Sequence, residues 1–341
     1  MRREPHIRPG EPSVAFGDLR AAALAVNGDA QRALDLAGSL AFVPRPGEGE
    51  TAVLFDLLCT LAAADLTAAR VVEAHLDARA ILAQAGQNAE PDHTWGVFAA
   101  ESAGPALTAT RAGDRWRLDG TKPWCSLAGL LTHALVTAHV GDHGRRLFAV
   151  NLRQAGITVH DDLWIARGLP QVKSGPVDFD GVQADAVGDE GWYLRRTGFA
   201  WGGIGVAAVW FGGAVGLART LYASTQGRAP DEIALAHLGA VDVAVTTAVT
   251  ALTAASTAID AGEADGLDGS LLAARVRGIV ARAAEDVIFH IGHALGPAPL
   301  ALDDRHAQRV ADLQLYIRQH HAERDDAALG RMLVTKGNAP W

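Results

Sequence analysis

The spacing of hydrophobic positions changes twice along this chain. Between Thr51 and Gly86 apolar residues recur at helical intervals. Leu54, Leu58, Leu61 and Ala62 form one stripe; Val71, Val72, Leu76, Ala80 and Leu82 form another. Asp65 and Thr67 interrupt the pattern and start a second helix, which Gly86 ends. From Thr94 the period shortens. TWGVFAAE, ALTATRAG, RWRLDGTK, HALVTAHV, RRLFAVNL, ITVHDD and PVDFDGVQ are short, often alternating runs, separated by Ala-Gly-Asp, Asp-Gly and Gly-Asp-His-Gly turn signals. Beyond about residue 191 the helical period returns in four Ala-rich stretches, 202–225, 232–262, 268–295 and 305–334. Gly227 with Pro230, Gly262 with Gly266, and Gly296-Pro297-Ala298-Pro299 break them. The pattern predicts a multidomain α+β chain: an N-terminal helical domain over 1–92, a middle antiparallel β-barrel over 93–190 and a C-terminal four-helix bundle over 191–341.

Composition narrows the functions that fit. The 341 residues are 49% apolar and 20% charged, as in an ordinary soluble globular protein. A net charge of −9, without blocks of like charge, repels phosphate backbones, so nucleic acid is not expected as a partner. A small anionic cofactor still fits, because a few Arg residues can hold it. The polar, Pro-rich start MRREPHIRPGEPS has no apolar core of a signal peptide, and no uninterrupted apolar run reaches the ~18 residues of a membrane span. A cytoplasmic location and no membrane partner are the expectations. Cys59 and Cys125 lie far apart in apolar surroundings and read as buried thiols.

Three motifs invite stronger readings and lack the context for them. Gly203-Ile-Gly205-Val-Ala-Ala208 matches a dinucleotide fingerprint, yet no strand precedes it; close helix packing is the plainer reading. Ala100-Glu101-Ser102-Ala103-Gly104 has a nucleophile-elbow spacing, but Pro105 and an extended run follow where a helix is needed. Glu90-Pro-Asp-His93 is the one Glu-x-x-His pair, in a Pro-containing loop, and His290-x-x-His293 has no carboxylates at ligand spacing, so no metal centre is expected.

The helix–sheet–bundle order has a more specific likeness. The segment FAAESAGPALTATRAGDRWRLDGTKPWCSLAGLLTHALVTAHV resembles the middle domain of acyl-CoA dehydrogenases, with Gly120, Lys122, Trp124 and Ser126 at the spacing of that family's G-x-K-x-W-x-S/T element. LFAVNLRQAGITV and GPVDFDGVQADAVGDEGWY resemble its later strands, LAAADLTAARVVEAHLDA its N-terminal helix, and VADLQLYIRQHHAERD its last conserved helix. The resemblance spans about residues 50–335. It implies FAD, with Trp124 and Ser126 against the isoalloxazine ring. It also implies a homodimer or homotetramer. The charge-poor stretch 232–260, with only Asp242 between Ala240 and Ile259, agrees with such an interface.

Departures from the family pattern bear on the chemistry. Its R-x-x-F-G element places Arg228 and, nine residues on, His237 toward the cofactor of a neighbouring subunit, but Asp231 and Glu232 replace the F-G pair. Its Q-x-x-G-G-x-G loop corresponds to His290 through Gly296, where only the last Gly survives. The family's catalytic Glu lies eight residues after the Asp of an R-D-A element; laying Asp312 on that Asp puts His320 at the base position. The alternative site on the first bundle helix falls on Val206. Glu323, one helical turn from His320, is the nearby carboxylate that could stand in. The resemblance thus implies a flavin-dependent oxidoreductase on a small molecule, with an acyl thioester as the family's substrate. A flavin monooxygenase on the same scaffold, or a binding or assembly protein that kept the fold, are the rivals. An imidazole at the base position disfavours ordinary desaturation.

Overall fold

The computed structural model describes Ile7 and residues 18–40, 43–101, 106–141, 144–227 and 230–337. Arg228 and the segment around Ser102 lie outside the described residues. Four helices come first: α1 (Leu19–Val26), α2 (Ala30–Ser39), α3 (Thr51–Ala64) and α4 (Leu66–Gln84). Seven strands follow: β1 (Trp95–Phe98), β2 (Thr108–Ala112), β3 (Arg115–Lys122), β4 (His133–Val140), β5 (Gly144–Asn151), β6 (Ile157–Val159) and β7 (Val177–Val187). The rest is helical again: α5 (Trp192–Arg195), α6 (Gly198–Gly227), α7 (Glu232–Asp260), α8 (Gly266–Leu295), α9 (Ala298–Leu302), α10 (Asp304–Tyr316) and α11 (Glu323–Lys336).

Asp18, Asp29 and Asp65 start α1, α2 and α4 by one device. Each carboxylate accepts the backbone N–H three residues on, at 2.8–2.9 Å, satisfying a donor that the first turn leaves free. Asp65 also accepts the Gly28 N–H at 2.8 Å, which ties the α1–α2 turn to α4. Helix α3 is capped from elsewhere. Its own Glu50 makes no capping bond. Instead Asp260, the last residue of α7, accepts Gly49 N–H at 3.1 Å, Thr51 N–H at 3.0 Å and the Thr51 hydroxyl at 2.5 Å. Asp260→Ala removes all three acceptor contacts. We expect it to cost about 1–2 kcal/mol in urea unfolding and to raise proteolytic cleavage in residues 43–50.

The seven expected strands are present, but their pairing is mixed rather than antiparallel. β4 pairs antiparallel with β5, β5 with β7, β7 with β3 and β3 with β2; β2 then meets β4 through the single parallel pair Thr108↔His139. β1 joins β4 in parallel and β6 joins β7 antiparallel. Alternation reports which face a residue takes, not which strand lies beside it, so the parallel contacts had no signal in the pattern. Gly120 marks a register shift between β3 and β7: it has φ +118°, and a Cβ there would stand 2.9 Å from the Ala106 carbonyl oxygen. Lys122, 2% exposed, gives its ammonium to Glu101 at 2.8 Å and Thr137 at 2.9 Å, so this residue of the G-x-K element pins β3 to β4.

Three of the four expected bundle helices are observed as long helices. The fourth, expected over 305–334, is broken in two. A 3₁₀ turn at Ile317–Gln319 ends α10, His320 is extended, and Ala322 has φ 46°. The helical period continues across this break, so periodicity alone hides it. α6 packs on α3, α7 and α8, and one apolar core runs from α1–α4 through the sheet into α6–α8. The α3–α6 seam explains the glycines of α6: methyl groups at Gly212 or Gly216 would press on the carbonyls of Cys59 and Ala63. Gly203 and Gly205 are inside α6, not between a strand and a helix. Cys59 and Cys125 are both buried, and burial pushes both thiols up, away from reactivity. By length and composition α6 and α7 could each cross a membrane. The apolar window of α6 is 78% buried inside the protein, that of α7 only 17%. Ile233, Leu235 and Val243 of α7 are exposed.

Candidate active site

Helix α4 is buried on most of its surface and has no separate polar face, so charges on it cannot all reach water. Arg70, Glu73 and Asp77 share one side of it at helical spacing. Glu73 is 7% exposed. Arg70 Nη1 lies 3.2 Å from Glu73 Oε2, and the Tyr316 hydroxyl donates to the same oxygen at 3.5 Å. The Arg70 guanidinium sits 5.6 Å from the Tyr316 ring centre. Burial pushes the Glu73 carboxyl up to about 7, against the pull of Arg70. Burial also raises Asp77 above its ordinary range. Among the described residues no hydrogen bond reaches the Asp77 carboxylate; Arg196 Nη2 is 3.9 Å away.

Glu73 and Asp77 face a cavity of about 320 Å³ between α3, α4 and the start of α6. Leu54, Leu58 and Trp201 supply apolar wall. Residues 43–48 border it, and they close onto Trp201: Gly47 has φ +82°, and a Cβ there would stand 2.7 Å from Trp201 Cζ3. Trp201 is anchored by its indole N–H, which donates to the Ala264 carbonyl at 2.9 Å. Gly202 leaves room for the carboxylate, since a Cβ there would lie 2.9 Å from Asp77 Oδ1.

Arg70 also points away from the cavity, donating from Nη2 to Ser126 Oγ at 3.3 Å. Ser126 Oγ in turn lies 2.8 Å from Ser174 Oγ. The loop that carries Ser126 is strained and clamped. Trp124 has φ 58° and Leu127 φ 64°, unusual for residues with side chains. Cys125 N–H donates to Gly175 O at 3.0 Å and Leu127 N–H to Lys173 O at 2.7 Å, fixing the loop on that segment. The Trp124 side chain is 58% exposed and meets Trp164 edge-on at 6.4 Å. A tryptophan packed in the core of the sheet would be buried.

The remaining candidate residues go elsewhere. His320 is 8% exposed at the α10–α11 break; its Nδ1 accepts Ala322 N–H at 3.3 Å and its Nε2 is 3.8 Å from Asp325. Burial lowers its pKa, so it is neutral at pH 7. Arg277 stacks 4.7 Å over the Trp210 ring and donates to Gly203 O and Gln319 O, holding this turn near α6. Glu323 is exposed at the start of α11. His237 and His290 meet each other, Nδ1 to Nδ1 at 3.0 Å, on α7 and α8, with His293 and Phe289 alongside. No described hydrogen bond or ring contact joins them to the Trp124 loop. Gly296 ends α8 with φ +65°. Asp312 holds the Leu169 N–H and the Gln308 amide, each at 2.5 Å, beside a second cavity of about 330 Å³. Among the described residues no group of three or more His, Cys, Asp or Glu could hold a metal ion.

The sequence reading missed Arg70, Glu73, Asp77 and Tyr316. The signal was present: Arg70, Glu73, Asp77 and Arg79 lie within an α4 that has no clear polar face, so some of these charges must be buried, and buried charges gather where chemistry or a ligand needs them.

No protein-family model matches the chain, and no curated protein does. Solved structures match nearly all of it at low identity. FMN-bound TdsC from Paenibacillus sp. A11-2 is 15% identical over 96% of this chain and 97% of that one, with a TM-score of 0.77. KijD3, in complex with FMN and dTDP-3-amino-2,3,6-trideoxy-4-keto-3-methyl-D-glucose, is 18% identical over 95% and 92%, with a TM-score of 0.74. The methanesulfinate monooxygenase MsuC from Pseudomonas fluorescens is 16% identical over 96% of each, with a TM-score of 0.73. At these identities what is shared is the fold, an acyl-CoA dehydrogenase-like one.

Proposed function

We propose that this chain is a flavin-dependent oxidoreductase acting on a small molecule held in the cavity beside Glu73. One observation carries the reading: a continuous polar path, Ser126 to Arg70 to Glu73, joins the strained Trp124 loop to that cavity. An exposed indole next to a serine pair suits a flavin ring, which needs an aromatic cover and a hydroxyl at its polar edge. Trp124 and Ser126 would hold it there. When bound, a flavin supplies two-electron redox chemistry and, in reduced form, reaction with dioxygen. We favour FMN over the FAD of the sequence resemblance, because the family elements that reach the cofactor of a neighbouring subunit are only partly kept here, as Arg228 and Gly296. FMN in TdsC and KijD3 supports the same choice.

Of the two chemistries, oxygenation fits better than thioester desaturation. His320 is a neutral imidazole where desaturation needs a carboxylate, and Glu323 faces solvent. TdsC and MsuC are named as monooxygenases, and TdsC also binds indole, a small aromatic molecule. The chain's own groups have clear tasks. Glu73, with its pKa near the working pH, takes or returns a proton of the bound molecule. Arg70 fixes Glu73 and Ser126 together. The 43–48 segment and Trp201 exclude water. We read the chain as three domains with limits 1–92, 93–190 and 191–341. We also propose a cytoplasmic homo-oligomer whose subunits cover the apolar face of α7.

The test is the visible absorbance of the purified protein after incubation with FMN or FAD, with the mass of the released cofactor. FMN retention supports the reading, and Trp124→Ala is expected to weaken it about tenfold through lost aromatic contact. A chain that retains neither flavin would sink the reading and leave the binding-protein alternative.

A further inference from the structure

We propose that the cavity between α3, α4 and α6 is an amine site: it takes a small molecule with a protonated amino group on an apolar body, and the ammonium sits on Asp77. Naming the amine as substrate rests on the flavin reading above; its binding does not.

The two inner carboxylates differ in what they have left to offer. Glu73 is already engaged, by Arg70 at 3.2 Å and the Tyr316 hydroxyl at 3.5 Å. Asp77 is not. Its nearest cation, Arg196, stands at 3.9 Å and directs Nη1 instead to Gln84 at 2.6 Å. A carboxylate on a partly buried wall without a hydrogen bond loses hydration and gains little in return. Gly202 keeps its outer side clear, where a Cβ would lie 2.9 Å from Oδ1. The site is therefore built around an acceptor that lacks its donor.

The class of donor follows from charge. Arg45 and Arg79 also line the cavity, Arg45 paired with Glu48 at 3.0 Å, but a ligand carboxylate or phosphate placed at Asp77 itself would meet a like charge and be repelled there. A neutral hydroxyl gives one hydrogen bond and adds no charge to the partial compensation by Arg196. An ammonium gives a charge-assisted bond and cancels the charge. Burial holds the Asp77 carboxyl above its ordinary range, against the pull of Arg196 and Arg70, so a further cation at hydrogen-bonding distance would be favoured. A metal ion is a poorer fit, since no third ligand stands with the pair among the described residues. Beyond the polar wall, Leu54, Leu58 and the Trp201 indole make a surface for an aliphatic or aromatic body, and the indole face also attracts cations. A volume of about 320 Å³ is at the small end of ligand sites.

Calorimetric titration of the full chain with benzylamine, benzyl alcohol and benzoate tests this, with flavin content read from the absorbance of the same samples. Benzylamine should bind at least about tenfold more tightly than the other two. Asp77→Asn should remove that advantage and leave the weak binding of benzyl alcohol unchanged, which also shows that the variant is folded. Gly202→Ala, which crowds the carboxylate, should weaken benzylamine in the same direction. Benzoate or benzyl alcohol binding as well as the amine, unchanged benzylamine affinity in Asp77→Asn, or no binding by any probe would each overturn the proposal. Flavin retained without amine binding rejects the amine site alone; amine binding without flavin rejects the flavin reading alone.

Discussion

Glu73→Gln should be more stable than the wild type at about pH 8 and should have lost most of its turnover. The stability effect follows from proton linkage. Glu73 ionises at an ordinary value of 4.5 when unfolded and at about 7 in the folded chain. Between these values the folded state holds a proton that the unfolded state has released. Stability is therefore fully present below 4.5, falls as pH rises toward 7, and stays low above it. The shift corresponds to roughly 3 kcal/mol. Gln cannot ionise and keeps an oxygen for Arg70 and Tyr316. Urea unfolding at a series of pH values should show a shallower decline in the variant than in the wild type, with the curves converging at low pH. Turnover, once a substrate is known, should fall about 10²–10⁴-fold, as for loss of a general acid–base group. A variant no more stable than wild type at about pH 8 would show that Glu73 is not held under this penalty.

The second large effect is at the α3–α6 seam. Gly212→Val places a branched side chain where even a methyl group meets the Cys59 carbonyl and the Ala62 side chain. Neither partner can yield, because one is helix backbone and the other is fully buried. Overpacking costs about 1–3 kcal/mol where side chains can shift; here whole helices must separate, and we expect the upper end or beyond. A fall in the urea midpoint checks this. Gly239→Ala on α7, where nothing lies within 4 Å of the added Cβ, is the control and should be neutral or slightly stabilising.

What could be read in advance divides along physical lines. The helix and strand segments were legible because burial of one face imposes a period: Asp65 as a cap and Gly86 as a stop came from the same rules. Gly120, Lys122, Trp124 and Ser126 drew notice as a spaced set, and the structure gives each a separate role: register shift, buried ion pair, exposed ring, partner of Arg70. The parallel contacts of β4 were not legible, since pairing depends on distant chain. The break at His320 was not, because two short amphipathic helices in sequence look like one long one. The Glu73–Tyr316 contact joins residues 243 positions apart, and no local pattern announces it. Only the crowding of charge into a helix without a separate polar face pointed there.

The Asp260 latch has a kinetic consequence. The segment that borders the cavity is fastened at its far end, at Gly49 and Thr51, through one carboxylate that collects three hydrogen bonds, and the helix bearing it has an uncovered apolar face. For a guest that passes this segment, the latch sets the step to be overcome, since bonds converging on one carboxylate release together rather than one by one. Residence time, more than affinity, then becomes the quantity the latch sets. Whatever steadies α7 should lengthen the stay of a guest in the cavity, and cutting the latch should speed entry and exit alike while leaving their ratio almost unchanged.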